Sequence, residues 1–298
     1  MNSDKLETTA VQIKSVTYIG MAVNCILSFI KIIVGLLGGS LALVADGIHS
    51  FSDLATDITV LLGVWLGSKK ADRSHPYGHG RAETFAGGII ALVLIIVGGL
   101  MIYYASISIA RDEVAVFHFY VIVAAVASII SKEWLYRITK KIAVKSHSPS
   151  LYANAWHHRS DALSSVAVLV GYVSIKLGLD HGDQIAANAV GLMVILVGVR
   201  IIGDCLRELT EGAVDQETTE QIKEIIDADP SIRQWHQLRT RMVGREIFLD
   251  LHILVDPELN VAAAHEISEN LEKTLGERIS RPINIVIHIE PDIPTMRR

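Results

Sequence analysis

Cysteine is almost missing from this chain of 298 residues, which has only Cys25 and Cys205. Both fall inside apolar runs, so they give no disulfide framework and read as packing residues. The N-terminus, MNSDKLETTAVQIK, lacks the basic, then apolar, then small-residue pattern of a cleaved signal peptide. The first apolar run is therefore expected to stay in the protein as a span. H-E-x-x-H is absent too, since the one His-Glu step, at His265, continues ISEN. An intramembrane metalloprotease would need that helix or a nucleophile beside an open metal position, so no catalytic residue is expected and the chain does not read as an enzyme. Charge is sparse: 20% of residues are charged against 50% hydrophobic, with a mean hydropathy of +0.39. Such a balance excludes an ordinary soluble domain and directs attention to long apolar segments.

Windows of about 20 apolar residues, the length that spans a bilayer, occur at 14–37, 41–67, 82–108, 117–138, 151–178 and 184–206. After about residue 208 the character changes. Residues 209–298 carry 17 acidic and 10 basic side chains in short alternating runs, the signature of a small soluble domain. Orientation follows from Lys and Arg in the connections. SKKADRSHPYGHGR between spans two and three is basic, and so is RITKKIAVK after span four. GGS, ARDEVAVF and SIKLGLDHGDQ hold one basic residue or none. Both termini and the tail domain are thus expected in the cytoplasm of a multi-pass protein of the inner or plasma membrane, with no nucleic-acid partner.

The second span contains ADGIHSFSDLATD. At about 100° per residue, Asp46, His49, Asp53 and Asp57 fall on one face. Each aspartate at bilayer depth costs roughly 2.5–3.5 kcal/mol on insertion scales, so the stripe must pair, meet water or bind a cation. The fifth span opens with NAWHHRSDALSS. His157 and Asp161 are spaced i, i+4, as are His49 and Asp53, so each helix can offer one imidazole and one carboxylate from one side. Two such helices facing one another make a tetrahedral two-nitrogen, two-oxygen site of the kind Zn²⁺ takes. His158 competes with His157, being three residues before Asp161, and spacing alone leaves the choice open.

Six spans with H-x-x-x-D in the second and fifth, followed by a small acidic domain, resemble the cation diffusion facilitator family of divalent metal/proton antiporters. The resemblance covers nearly the whole chain. It implies a transport site of His49, Asp53, His157 and Asp161, preferring His157 over His158, in a homodimer that exchanges cytoplasmic metal for protons by alternating access. Asp46 and Asp57 lie outside that set and read as water-path groups, supports for the ligands or helix glue.

In the loop ADRSHPYGHGRAE, Asp72, His75 and His79 place three ligand types close together, with Pro76 and Gly78 bending the chain between them. Relatives similar to this chain carry a second metal site with that spacing. The resemblance also pairs Arg81 with Glu211. In the tail, helical and alternating segments in the order αββαβ predict a small ferredoxin-like α+β domain with an antiparallel-rich sheet. Its first helix ends at Pro230, Gly244-Arg245 forms a turn, and a second helix runs from an Asn260 cap to a stop at Gly276. Alternation buries Ile247, Leu249, Leu251, Ile253 and Val255, leaving His252 on the opposite face, and the last strand likewise exposes His288 and Glu290. By resemblance, His236, His252, His265, His288 and Glu290 form a metal site that senses cytoplasmic metal. The whole chain thus divides at 208/209 into a transport domain and a sensing and dimerisation domain.

A histidine must be neutral and a carboxylate ionised before either binds metal, so metal and protons exclude one another at the same atoms. That exchange suits imidazole, whereas a buried lysine would block it. The ligand set favours Zn²⁺ or Cd²⁺ and opposes Mn²⁺, with Fe²⁺ the nearest rival. A metal sensor or scaffold that binds without transporting could share every ligand.

Overall fold

The computed structural model describes residues 2–37, 53–111, 119–177 and 182–297. They divide into two compact units, Thr9–Leu206 and a second made up mainly of Arg207–Arg298. The first contains the helices α1 (Asn2–Leu37), α2 (Leu54–Gly67), α3 (Arg81–Ala110), α4 (Phe119–Ser146), α5 (Pro149–Lys176) and α6 (Gly182–Leu209). Three described stretches, Thr8–Ile33, Arg81–Ala110 and Ala187–Leu209, are long and apolar enough to cross a membrane, and Thr56–Gly67 is a shorter apolar helix. Phe29, Ile89, Leu92, Ile96, Leu192 and Leu196 point outward, while Asn24, Asp53, Asp57, Lys132, Asn154, His157 and His158 are buried. This inside-out distribution suits lipid, which accepts apolar side chains and forces polar ones into the bundle.

α5 packs against α2, α3 and α4 and is the common neighbour of the elements that build the site. It starts cleanly because Ser148 Oγ accepts from the Leu151 amide at 3.3 Å and Pro149 occupies the first helical position, where a missing N–H costs nothing. α4 ends later than its apolar window suggests. RITKKIAVK, expected as a connection, is helical through Ser146, because no breaker intervenes before His147, at φ 53°. α3 and α6 meet at backbone distance: a Cβ on Gly98 would lie 2.7 Å from the Gly191 carbonyl oxygen, and one on Gly191 would lie 2.8 Å from that of Gly98.

The second unit holds α7 (Gln216–Asp227), β1 (Gln234–Val243), β2 (Glu246–Val255), α8 (Val261–Arg278) and β3 (Ile283–Pro291). Asp215 caps α7 by accepting from the Thr218 amide at 2.8 Å, and Asn260 caps α8 by accepting from the Ala263 amide at 2.9 Å. α8 runs past Gly276 to Arg278, because Leu275 and Ile279, one turn apart, are both buried in the core. The strand order is β1-β2-β3. β1 pairs antiparallel with β2, but β2 pairs parallel with β3, so the sheet is mixed rather than antiparallel-rich. A parallel neighbour requires a crossover, which α8 supplies. One face of β2 (Ile247, Leu249, Leu251, Ile253, Val255) packs with Ile222, Ile226, Leu271 and Leu275 to make the core.

β1 contains one residue too many for its partner. Arg239 opposes Asp250 and His236 opposes His252, so three steps along β1 match two along β2. The extra residue is accommodated at Gln237, whose φ is 53°, the left-handed region that a non-glycine residue enters only under constraint. Leu238 and Trp235 both reach the core because of it. By strict alternation His236 would oppose Ile253 and face inward; the bulge turns it to the other side.

Replacing Gly191 with Leu is expected to wedge α3 from α6 and to cost about 1–3 kcal/mol, read as a lower melting temperature of the detergent-solubilised protein. In the tail, the Thr218 amide holds the Asp215 carboxyl below the usual carboxylate range. The ionised cap therefore adds stability above the ordinary value of about 3.9, lost as pH falls through the lower folded value. Asp215→Ala should cost about 1 kcal/mol near neutral pH, seen as faster amide hydrogen exchange in α7.

Candidate metal centres

Three groups of imidazoles and carboxylates have ligand atoms within 4.8 Å of one another: Asp53, His157 and Asp161; Asp72, His75 and His79; and His236, His252 and Glu290. The first lies between helices. Asp53 immediately precedes α2, while His157 and Asp161, one turn apart on α5, meet it from the other side. His157 Nε2 is 3.4 Å from Asp53 Oδ1 and 3.9 Å from Asp161 Oδ2. Neither ring nitrogen of His157 has a hydrogen-bond partner among the described residues. A buried imidazole left in that state is costly, and a cation at the mouth of the two carboxylates would satisfy it. His49 and Asp46 lie outside the described residues.

The structure separates the two adjacent histidines. His158 faces another polar knot, 3.9 Å from Asp57 Oδ1 and 3.4 Å from Asn154 Nδ2. Asp57, fully buried, accepts from Asn24 Nδ2 on α1 at 3.0 Å and from Asn154 Nδ2 on α5 at 2.7 Å. It ties three helices together, a placement that fits helix glue, the plainest of the roles considered for it.

A buried lysine, the residue expected to block that exchange, stands beside the site. Lys132 of α4, 1% exposed, donates from Nζ to Asp53 Oδ2 at 2.9 Å and to Asp161 Oδ2 at 2.8 Å. Its signal was visible in the sequence, as a lysine inside the fourth apolar window, SIISKEW. A charge at that depth is a functional candidate by default.

The loop group is held by an Asx turn. Asp72 Oδ1 accepts from the amides of Ser74 and His75, both at 2.8 Å, and from Ser74 Oγ at 2.7 Å. These donors, the Ser74 hydroxyl first, hold the carboxyl well below the usual carboxylate range. Oδ2 is left toward His79 Nε2, 3.5 Å away. The His75 and His79 rings lie 4.3 Å apart, with Gly78 at φ 81° making the turn between them. Asp72 and His75 are more than half exposed, so this group is a wet one.

In the tail, His236, His252 and His288 stand opposite one another across β1, β2 and β3, a row at matched register. Glu290 reaches all three: Oε1 lies 2.9 Å from His252 Nδ1 and 3.6 Å from His288 Nε2, and Oε2 lies 3.5 Å from His236 Nε2. The hydrogen bond with His252 is the main cause that lowers the Glu290 carboxyl below its usual range. His265 is not part of the group. It sits on α8, two-thirds exposed, with Nε2 3.3 Å from Glu269 one turn on. α8 covers the core face of the sheet, whereas the histidine row lies on the opposite face. Glu211, expected to partner Arg81, has Oε2 3.3 Å from Arg241 Nε.

The family model of the cation efflux transmembrane domain matches residues 17–210, and that of the cation efflux protein cytoplasmic domain matches 214–292. Metal tolerance protein C1 of Arabidopsis thaliana is 32% identical over 288 residues, covering 92% of this chain and 61% of that protein, so the chain spans about three fifths of this plant relative. Magnetosome protein MamM of Magnetospirillum gryphiswaldense is 32% identical, with 91% and 86% covered. The manganese efflux system protein MneP of Bacillus subtilis is 29% identical, with 93% and 96% covered. Among solved structures, the metal-bound C-terminal domain of the CzcD transporter from Thermotoga maritima is 27% identical over 26% of this chain and 94% of that one, with a TM-score of 0.25. Matched along both its membrane and its cytoplasmic parts, the chain belongs to the cation efflux family, the cation diffusion facilitators, and is a transporter of divalent metal cations rather than an enzyme.

Proposed function

We propose that this chain exports Zn²⁺, and also Cd²⁺, from the cytoplasm in exchange for protons. The observation that carries this reading is the group of Asp53, His157 and Asp161, two carboxylates and an imidazole whose ligand atoms lie within 4.8 Å of one another, the imidazole without a hydrogen bond among the described residues. His49, one helical turn before Asp53 by sequence, is the proposed fourth ligand. Two nitrogens and two oxygens suit Zn²⁺; Fe²⁺ accepts the same set and is the alternative, and the imidazoles argue against the Mn²⁺ that one relative's name records. Metal binding requires the imidazoles neutral and the carboxylates ionised. Higher proton activity on the far side then strips the metal, and the protons return.

Six spans with both termini in the cytoplasm of the inner or plasma membrane accommodate this cycle. Transport belongs to residues 1–208, and metal sensing and homodimer formation to 209–298. The loop group, wet and exposed, is a weaker regulatory site. The tail group of His236, His252, His288 and Glu290 is the proposed sensor, because one cation there would staple all three strands.

In inverted vesicles under a fixed pH gradient, the wild-type chain is expected to take up Zn²⁺ and Cd²⁺ faster than Fe²⁺ or Mn²⁺. Asp161→Ala and His49→Ala should each reduce uptake to background; flux that persists in both would favour a sensor or scaffold that does not transport. For the tail, deletion of Gln237 should straighten β1, turn His236 to the core side and weaken Zn²⁺ binding there by about tenfold or more. Titration calorimetry of the full chain, with and without the deletion, measures the loss.

A further inference from the structure

We propose that Lys132 is a built-in competitor for the transported cation. Its ammonium holds the carboxylates of Asp53 and Asp161 in the metal-free state and leaves them when metal enters. This rests on the assignment of Asp53, His157 and Asp161 as transport ligands.

Nζ sits 2.9 Å from Asp53 Oδ2 and 2.8 Å from Asp161 Oδ2. A zinc-type ion binds carboxylate oxygens at about 2.0–2.2 Å, so an ion drawing on the same two oxygens would take the space between them that the ammonium fills. The two also repel one another strongly in a site that is screened little by water. Metal and ammonium are therefore alternatives at one place.

Helix glue explains less. An ion pair made only for packing would be expected to close its own hydrogen-bond network. Here the ammonium engages one oxygen of each carboxylate, and His157 Nε2, 3.4 Å from Asp53 Oδ1, has no close hydrogen bond among the described residues. Two carboxylates and an imidazole with ligand atoms within 4.8 Å of one another are well composed as a ligand set. The lysine also comes from a third helix, α4, on a flexible four-carbon stem that can swing out without moving the backbone. Such a competitor moderates affinity and speeds release: when metal departs, the carboxylates pass to the ammonium instead of being stranded as unpaired buried charges.

The test uses the full-length chain carrying His75→Ala and His252→Ala in every arm, so that the membrane site dominates a Cd²⁺ titration by calorimetry at fixed pH. Lys132→Met is expected to bind Cd²⁺ at least about tenfold more tightly than the arm that keeps Lys132, and to move Cd²⁺ several-fold more slowly in proteoliposomes as release becomes limiting. Lys132→Arg, which keeps the charge, should show no tightening. Unchanged or weaker affinity in a monodisperse Lys132→Met protein overturns the proposal. If that variant is not monodisperse, Lys132→Gln is read in its place and must tighten binding likewise. If the arm that keeps Lys132 shows no Cd²⁺ binding that Asp161→Ala removes, the transport-site assignment itself fails, and the role of Lys132 falls with it.

Discussion

One ammonium shared by two carboxylates organises the membrane part of this protein. Asp53, at the cap of α2, and Asp161, on α5, come from different elements, and without a cation between them two buried negative charges would face one another at short range. Lys132, reaching in from a third helix, lets α2, α4 and α5 close on a polar centre. Loss of one partner from a buried ion pair costs roughly 3–5 kcal/mol. His157, 3.4 Å from Asp53 Oδ1, faces the same carboxylate that Lys132 holds.

The three groups of imidazoles and carboxylates differ in how far they are exposed, and their chemistry should follow. In the membrane group Asp53 and His157 are buried and the two carboxylates already face an internal cation, the Lys132 ammonium. In the loop, Asp72 spends one oxygen on three local donors and offers the other, in a setting where water competes for any cation. The tail row stands between these, with His236, His252 and Glu290 part-buried and His288 exposed, one carboxylate facing three imidazoles across a sheet. Affinity and ease of release can thus be set separately at each place.

Much of this was legible in the residues. The apolar windows fell on the described helices of the membrane unit, period-two alternation identified the buried side of β2 and β3, and the spacing on α5 marked Asp161 with His157 or His158, between which only the resemblance chose. What was not legible arises from contacts between segments distant in sequence. The choice between His157 and His158 depends on which side of α5 meets α2. Lys132 sits 29 positions from one of its carboxylates and 79 from the other, so no local pattern links them, though its depth in an apolar window was a sign. His236 was expected beside His252, but only the extra residue at Gln237 puts it there. His265 misled because a helix position says little about which face of a neighbouring sheet it can reach.

The approach of α3 to α6 also bears on movement. At Gly98 and Gly191 each backbone leaves no room for even a methyl group on the other, and Gly198 meets Ile95 and Ala91 as tightly. Helices interlocked at that distance cannot slide or roll past one another without clashing, so they behave as a single stiff strut. Gly63 of α2 meets Ala86 of α3 just as closely, so α2, whose N-terminal end carries Asp53, is held to the strut as well.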